Sequence, residues 1–378
     1  MFDPNAARAA FCLDPDWLTL NHGSFGATPR AVIAAQQGWR DRLEAQPTRF
    51  MTMELPSALR SAASQLAGFL GADAEGLGFI ENATAGCNAV LRSLRFTPDE
   101  EVVVLSHGYA AVQKAAGHIA GGAGARLIEV PIPFPRPDTA GLIAALEAAL
   151  TPRTRLAILD HITSPSALVL PIAPLIALCR ARGVPVLVDG AHAPGQVPLD
   201  LTALGADWYA GNCHKWLLAP KGCAFLWTAP ARRAQTHAHV ISHGLGQGIV
   251  TELDWTGTRD PSAFLAIGAA IEAHAKLGGT ALMERNRAMA RAAGALLATR
   301  LGTEVAARPE MAGSMAAIRL PGPGTAIAAM ACREKLLAAR IDTPVHALAG
   351  GLWLRVSAAA YNQPAEYEAL AQRLPALL

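Results

Sequence analysis

Two residues near the middle of the chain could do chemistry together: Asp189, which ends the apolar run VPVLVD, and Lys215, in the short stretch CHKW that follows it. VPVLVD has the composition of a buried strand, and a carboxylate at its C-terminal end stands where open α/β sheets place ligands. A lysine amine can form an imine with an aldehyde. A carboxylate can keep a ring nitrogen protonated, so that the ring accepts electrons from a substrate carbanion. Singly, Asp189 could be a strand-end cap and Lys215 a solvated loop charge. Jointly they suit a pyridoxal 5'-phosphate (PLP) site, with Lys215 as the Schiff-base amine and Asp189 on the pyridine nitrogen.

Other residues extend this chemistry. In ENATAGCN, Ala83 and Thr84 stand where a turn enters a helix. Backbone N–H groups and a hydroxyl there converge on the positive end of a helix dipole, which suits a dianionic phosphate. Arg355 ends the apolar run GLWLR and offers a rigid bidentate fork for a carboxylate. Three histidines, His237, His239 and His243, crowd THAHVISHG, but no carboxylate or cysteine joins them at a recognisable spacing. No metal site is expected, and His243 is expected to line the active site instead. GLGQG at 244–248 matches no complete dinucleotide fingerprint, and GGAGA predicts a turn.

The elements that must position these residues alternate along the chain. GLGFI, EVVVLS, ARLIEV, RLAILD and VPVLVD read as strands. Helical runs lie between them, in ATAGCNAVLRSL, AAVQKAAGHIA, TAGLIAALEAAL and APLIALCRARG. Such alternation predicts an α/β fold, a mostly parallel sheet with crossover helices. Beyond Lys215, PSAFLAIGAAIEAHAKLGG and ALMERNRAMARAAGALLATRL read as long helices. Strands in MAGSMAAIRL and GLWLRVS and a terminal helix then build a smaller α+β unit.

Composition agrees with a large enzyme: 378 residues, 52% hydrophobic and 16% charged, can bury a core too long for one ordinary domain. No apolar stretch has the uninterrupted length of a membrane span. The formal net charge of +2, with scattered Lys and Arg, argues against a nucleic-acid partner. The start MFDPNAARAAFCLDP does not read as a secretory signal, so the cytoplasm is expected. The six cysteines, at 12, 87, 179, 213, 223 and 332, include no CxxC and predict free thiols.

The sequence resembles the aminotransferase class V family of fold-type I PLP enzymes, and within it the isopenicillin N epimerase-like branch. The resemblance runs nearly end to end: LNHGSFGATP, ENATAGCN, SHGYAAV, DHITSPSALVLPI, VDGAHAPGQ, GNCHKW, WTGTRD and RVSAAAYN occur in that order. It implies a large domain with a mostly parallel seven-stranded sheet. The expected division is an N-terminal arm over 1–30 that joins the active site and a PLP-binding domain over 31–262. A smaller C-terminal α+β domain over 263–378, with part of the N-terminal segment, completes the chain.

It also implies roles. Asn212 and His214 add side-chain donors to the phosphate, and Thr258 reaches the phosphate of a neighbouring subunit in a homodimer with shared sites; Arg259 is expected to face the same way. Tyr109 stacks on the pyridine face, with His107 as the competing candidate. His192 contacts the phenolic oxygen of the cofactor, and Ser164 the same edge. Arg355 binds the substrate carboxylate, while Asn21 and His22 close the site from the arm, where Gly23 and Gly26 allow close backbone approach.

The implied activity is Cα deprotonation of an amino acid or amino-acid derivative by Lys215. An epimerase or racemase is favoured; a C–S (β-)lyase, a desulfurase-like enzyme or an aminotransferase is the alternative, and a non-catalytic binding or regulatory protein the remote one. Class V desulfurases carry a mobile-loop cysteine upstream of their C-terminal arginine. Cys332, in GTAIAAMACREKLLAARI, has the spacing of an amphipathic helix instead, which disfavours a desulfurase.

Overall fold

The computed structural model describes residues 3–378. Its frame is a seven-stranded sheet of β1 (Leu77–Ile80), β2 (Glu101–Leu105), β3 (Arg126–Val130), β4 (Thr154–Asp160), β5 (Val186–Asp189), β6 (Trp208–Asn212) and β7 (Ala224–Thr228). The order is β1-β7-β6-β5-β4-β2-β3, and β7 alone runs antiparallel to its neighbours. The seven strands and the mostly parallel sheet agree with the expectation from sequence.

The central strands are continuous apolar runs because both faces of the sheet are covered. Their side chains alternate between two cores. Val103, Leu105, Leu159 and Val188 face a core shared with Leu59 and Leu66 of helix α1 (Leu55–Leu70), whereas Val102, Val104, Ile158 and Leu187 face the other. That second core is closed by Val90 of α2 (Ala83–Ser93) and by Val112 and Ala116 of α3 (Ala110–Gly122).

Departures from the sequence reading are local. The glycines of GGAGA extend α3 to Gly122, and the turn falls at Gly124, whose φ is +80°. The run PSAFLAIGAAIEAHAKLGG is two helices, Ser262–Leu265 and Ile267–Lys276, parted where Ala266 takes ψ 3°. A helix over Arg30–Ala45 adds to the elements expected from sequence; only Val32 in it is fully buried, so its apolar stripe is narrow.

A three-stranded antiparallel sheet of Met315–Leu320, Val345–Leu348 and Gly351–Ser357 builds the C-terminal part. Leu18–Thr19 of the N-terminal arm pairs in parallel with Ile341–Asp342. This ties the arm beside the strand that carries Arg355. Among the described residues no helix is long and apolar enough to cross a membrane.

Candidate active site

β4, β5 and β6 end side by side with Asp160, Asp189 and Asn212 at their C-terminal tips, and the register sets Asp160 directly beside Asp189. Past β6 the chain turns through Cys213 and His214 to Lys215. The start of α2 and the arm close the space above. The result is a cavity of about 500 Å³ that brings together Ala83, Thr84, Tyr109, Ser164, Asp189, His192, Asn212, His214 and Lys215.

Lys215 Nζ lies 3.1 Å from His192 Nε2, and Trp216 Nε1–H points at His192 Nδ1 from 3.4 Å. An indole can only donate, so Nδ1 accepts and neutral His192 carries its proton on Nε2, facing the lysine nitrogen. That contact requires a lysine lone pair. Burial and the nearby Arg355 charge lower the Lys215 pKa to about 7, against an upward pull from Asp189. Burial, then Lys215, holds His192 well below the usual histidine range. The pair is thus an amine poised to be neutral beside a neutral imidazole.

Asp189 is buried, and its Oδ1 accepts the Ala191 N–H at 3.0 Å. Burial pushes its pKa up, while that bond and the Lys215 charge pull it back. A protonated ring nitrogen beside it would complete the compensation that a buried carboxylate needs.

At the start of α2, Asn82 rather than Thr84 is the N-cap, its Oδ1 accepting the Ala85 N–H at 2.9 Å. Asn212 Oδ1 takes the Ala83 N–H at 2.8 Å. The Ala83 amide is therefore engaged within the protein, while the Thr84 N–H and hydroxyl stand between these two bonds at the cavity wall, and Asn212 keeps its Nδ2 as a donor. His214 corrects the expectation of a donor. Its Nδ1–H is spent on the Cys223 carbonyl at 3.0 Å, so the neutral ring presents only a lone pair at Nε2. Burial lowers its pKa to about 4. It would donate only as an imidazolium, which a phosphate dianion favours.

Arg355 is 2% exposed, and burial lowers its pKa to about 10. Nη1 donates to the Ser164 carbonyl at 2.7 Å and to Ser164 Oγ at 3.2 Å; Nη2 donates to Asn21 Oδ1 at 3.2 Å and Ser24 Oγ at 3.0 Å. Its Nε is buried without a partner among the described residues. Asn21 also donates to Asp342 Oδ1 at 3.0 Å, so it braces the guanidinium from the arm.

His22 lies behind Lys215 instead of around a substrate. Its Nε2–H donates to the Lys215 carbonyl at 3.0 Å, and its Nδ1 lies 3.1 Å from the Tyr361 hydroxyl, so both nitrogens are occupied. The glycines of the arm are crowded as expected: a Cβ on Gly26, whose φ is +70°, would stand 2.1 Å from the His214 carbonyl oxygen, and one on Gly23 2.5 Å from Met315 Sδ.

The remaining candidates divide. Tyr109 lines the cavity, whereas His107 is buried against Phe134 with its Nδ1 3.0 Å from Ser166 Oγ. Thr258 is exposed and lies outside this chain's cavity. Arg259 turns back onto its own chain, paired with Glu81 and with the Leu253 carbonyl at 2.8 Å. His243 is exposed and does not line the cavity, contrary to expectation; His237 bonds Glu252 at 2.9 Å, and His239 faces Glu81 at 3.7 Å. Cys332 is buried on the helix Ala326–Ala338, its thiol pushed up by burial.

Sequence reasoning passed over Asp160, Trp216 and Ser24. Asp160 had a visible signal, because RLAILD ends in a carboxylate just as VPVLVD does. Ser24 and Trp216 had none, since their partners are distant in the chain.

Comparison with known proteins fits this geometry. A profile described as aminotransferase class-V matches residues 25–370. The chain is 36% identical over 393 residues to isopenicillin N epimerase of Streptomyces clavuligerus, covering 99% of this chain and 98% of that protein. It is 30% identical over 396 residues to L-cysteine desulfhydrase of Arabidopsis thaliana, covering 95% and 87%. The crystal structure of the cysteine desulfurase CsdA of Escherichia coli superposes with a TM-score of 0.81 at 22% identity, covering 100% of this chain and 98% of that one, a likeness of fold. With a buried lysine and acid lining one cavity at the end of a mostly parallel sheet, the chain belongs to the aminotransferase class-V family and is a PLP-dependent enzyme of fold type I.

Proposed function

We propose that this enzyme removes the Cα proton of an amino acid or amino-acid derivative through Lys215 and that a solvent-derived proton returns to the opposite face, an epimerase- or racemase-like reaction. The observation that carries the amino-acid part of this reading is Arg355, a buried guanidinium whose hydrogen-bond partners are all neutral, beside the pocket that lowers the lysine amine to about 7. The charge of Asp342 reaches the guanidinium only from behind Asn21, and a buried cation with no acid in direct contact is costly until an anion arrives. The α-carboxylate of an amino acid is an anion of the right shape for its fork.

Bound here, PLP supplies an aldehyde for amines and a ring that accepts electrons. Lys215 would hold it covalently and Asp189 would hold its ring nitrogen. Thr84, the first turn of α2 and Asn212 would hold its phosphate, joined by His214 once protonated and by Thr258 of a second copy. Tyr109 would cover the ring, and His192 and Ser164 would flank its phenolic edge.

The protein's own steps follow from the contacts. Arg355 takes the substrate carboxylate, with Asn21 and Ser24 bracing the fork. The neutral Lys215 amine would accept the Cα proton at Nζ with the one lone pair that the His192 Nε2–H holds at 3.1 Å, so that contact must open first and then serves only to park the resting amine. The His22 bond to the Lys215 carbonyl holds the backbone from which Nζ swings.

We place the enzyme in the cytoplasm as a homodimer; six free cysteines fit a reducing compartment. The division into an arm over 1–30 and domains over 31–262 and 263–378 is part of the same proposal. A second reading, a C–S lyase, is favoured by the full-length likeness to L-cysteine desulfhydrase. Incubation with a panel of L-amino acids in deuterium oxide separates the two. Cα deuteration with appearance of the D-isomer supports epimerisation. Sulfide, ammonia and keto acid from cysteine without a D-isomer transfer the assignment to the lyase. Absence of any Cα exchange overturns both.

A further inference from the structure

Asp160 is a buried acid of the cavity to which the steps above give no task. β4 and β5 are parallel neighbours, and their register puts Asp160 and Asp189 at the same level, on strands spaced about 4.8 Å apart. Two carboxyls so placed and buried cannot both stay ionised.

Their surroundings differ. Asp189 has the Ala191 N–H at 3.0 Å and feels the Lys215 amine. No Lys or Arg among the described residues pairs with Asp160. Its Oδ1 accepts the Tyr109 N–H at 3.2 Å, and its Oδ2 lies against the SHGY turn, 3.1 Å from where a Cβ on Gly108 would stand. Facing it are Asp189 from β5, the Cys87 thiol of α2, raised by burial and by these two acids, and the Tyr109 turn. The histidines nearby in the chain, His107 and His161, are held neutral by burial, with pKa values of about 4. Burial and Asp189 both push the Asp160 carboxyl well above the usual range.

We propose that Asp160 is a protonated positioning residue: it carries the one proton of the pair, leaving Asp189 as the sole negative charge toward the ring nitrogen, and its Oδ1 pins the turn that aims Tyr109 into the cavity. This rests on the reading of Asp189 as the acid of the cofactor ring. It makes an unequal demand on two adjacent acids. Asparagine is close to isosteric with a neutral carboxyl and keeps an oxygen acceptor for the Tyr109 N–H, so it can replace Asp160 but not Asp189.

Two measurements test this. In the cofactor-free protein, infrared spectroscopy should find a protonated-carboxyl band that disappears in Asp160→Asn and survives in Asp189→Asn. In binding titrations read by tryptophan fluorescence, Asp160→Asn should keep its PLP Kd within about threefold of wild type, whereas Asp160→Ala, which loses the tether, should bind at least about tenfold more weakly. A band lost only in Asp189→Asn would overturn the proposal, as would an Asp160→Asn protein as weak as Asp160→Ala, or an Asp160→Ala protein as tight as wild type. A wild-type protein that binds no PLP would sink the cofactor assignment alone, because the infrared result is read without cofactor.

Discussion

Replacing Arg355 by Leu removes the fork while keeping an apolar side chain in a site that is 2% exposed. In this structure the two terminal nitrogens are satisfied by Ser164, Asn21 and Ser24, all neutral. The present bonds have charge on the donor alone, and a substrate carboxylate would put charge on both partners of two of them. With each such bond strengthened by about 0.5–2 kcal/mol, the fork gains about 1–4 kcal/mol. The middle of that range corresponds to roughly a hundredfold rise in KM for Arg355→Leu. Arg355→Lys should fall between the two, keeping the charge but not the fork. The assay is substrate saturation of cofactor-loaded protein, with the PLP Kd measured beside it. PLP affinity should fall far less than substrate affinity, because Arg355 touches the proposed cofactor contacts only through Ser164. An unchanged KM, or a loss of PLP binding equal to the loss of substrate binding, would refute the argument.

Further outcomes are expected. Lys215→Ala should abolish covalent capture of PLP, and borohydride reduction of the wild type followed by peptide mapping should label Lys215 and no other lysine. Because the folded protein holds Lys215 at about 7, below the ordinary lysine value, its neutral fraction grows as pH rises; the rate of PLP capture by cofactor-free protein should climb with a midpoint of about 7. A midpoint near the ordinary lysine value would contradict the burial argument. Gly26→Ala puts a Cβ 2.1 Å from the His214 carbonyl at a positive φ, so turnover should fall at least about tenfold with a lowered Tm. Cys332→Ser should leave turnover intact, since the thiol is buried on a helix; loss of alanine and persulfide formation from cysteine would identify a desulfurase. Mixing Lys215→Ala with Thr258→Asp subunits should restore activity if Thr258 serves a neighbouring subunit, and mixed dimers that stay inactive would place it elsewhere.

What the sequence determined alone was whatever depends on neighbours in the chain. The apolar runs of β2, β4 and β5 and the helices between them are legible because strand and helix periods are local patterns. Asp189 and Lys215 are legible for the same reason, each sitting at the end or just beyond a run that is readable by itself. The same local logic passes over Arg30–Ala45, whose apolar stripe is thin, only Val32 being fully buried with Trp39 and Leu43 half-buried, and it misses the break between two helices at Ala266.

Only the tertiary structure decided which groups meet. His22 sits behind Lys215 because the arm is tied down by Leu18–Thr19 pairing with Ile341–Asp342. The His214 tautomer follows from the Cys223 carbonyl, and the destination of Arg259 from Glu81 across the fold. Asp160 stands beside Asp189 through the register of two parallel strands joined by a long crossover. Hydrogen bonds and charge coupling act through space over a few ångströms, and residues that share such a distance here lie tens to hundreds of positions apart in the chain. Residue types therefore announced the chemistry, whereas protonation states and partners awaited the packing of strand ends, arm and turn into one cavity.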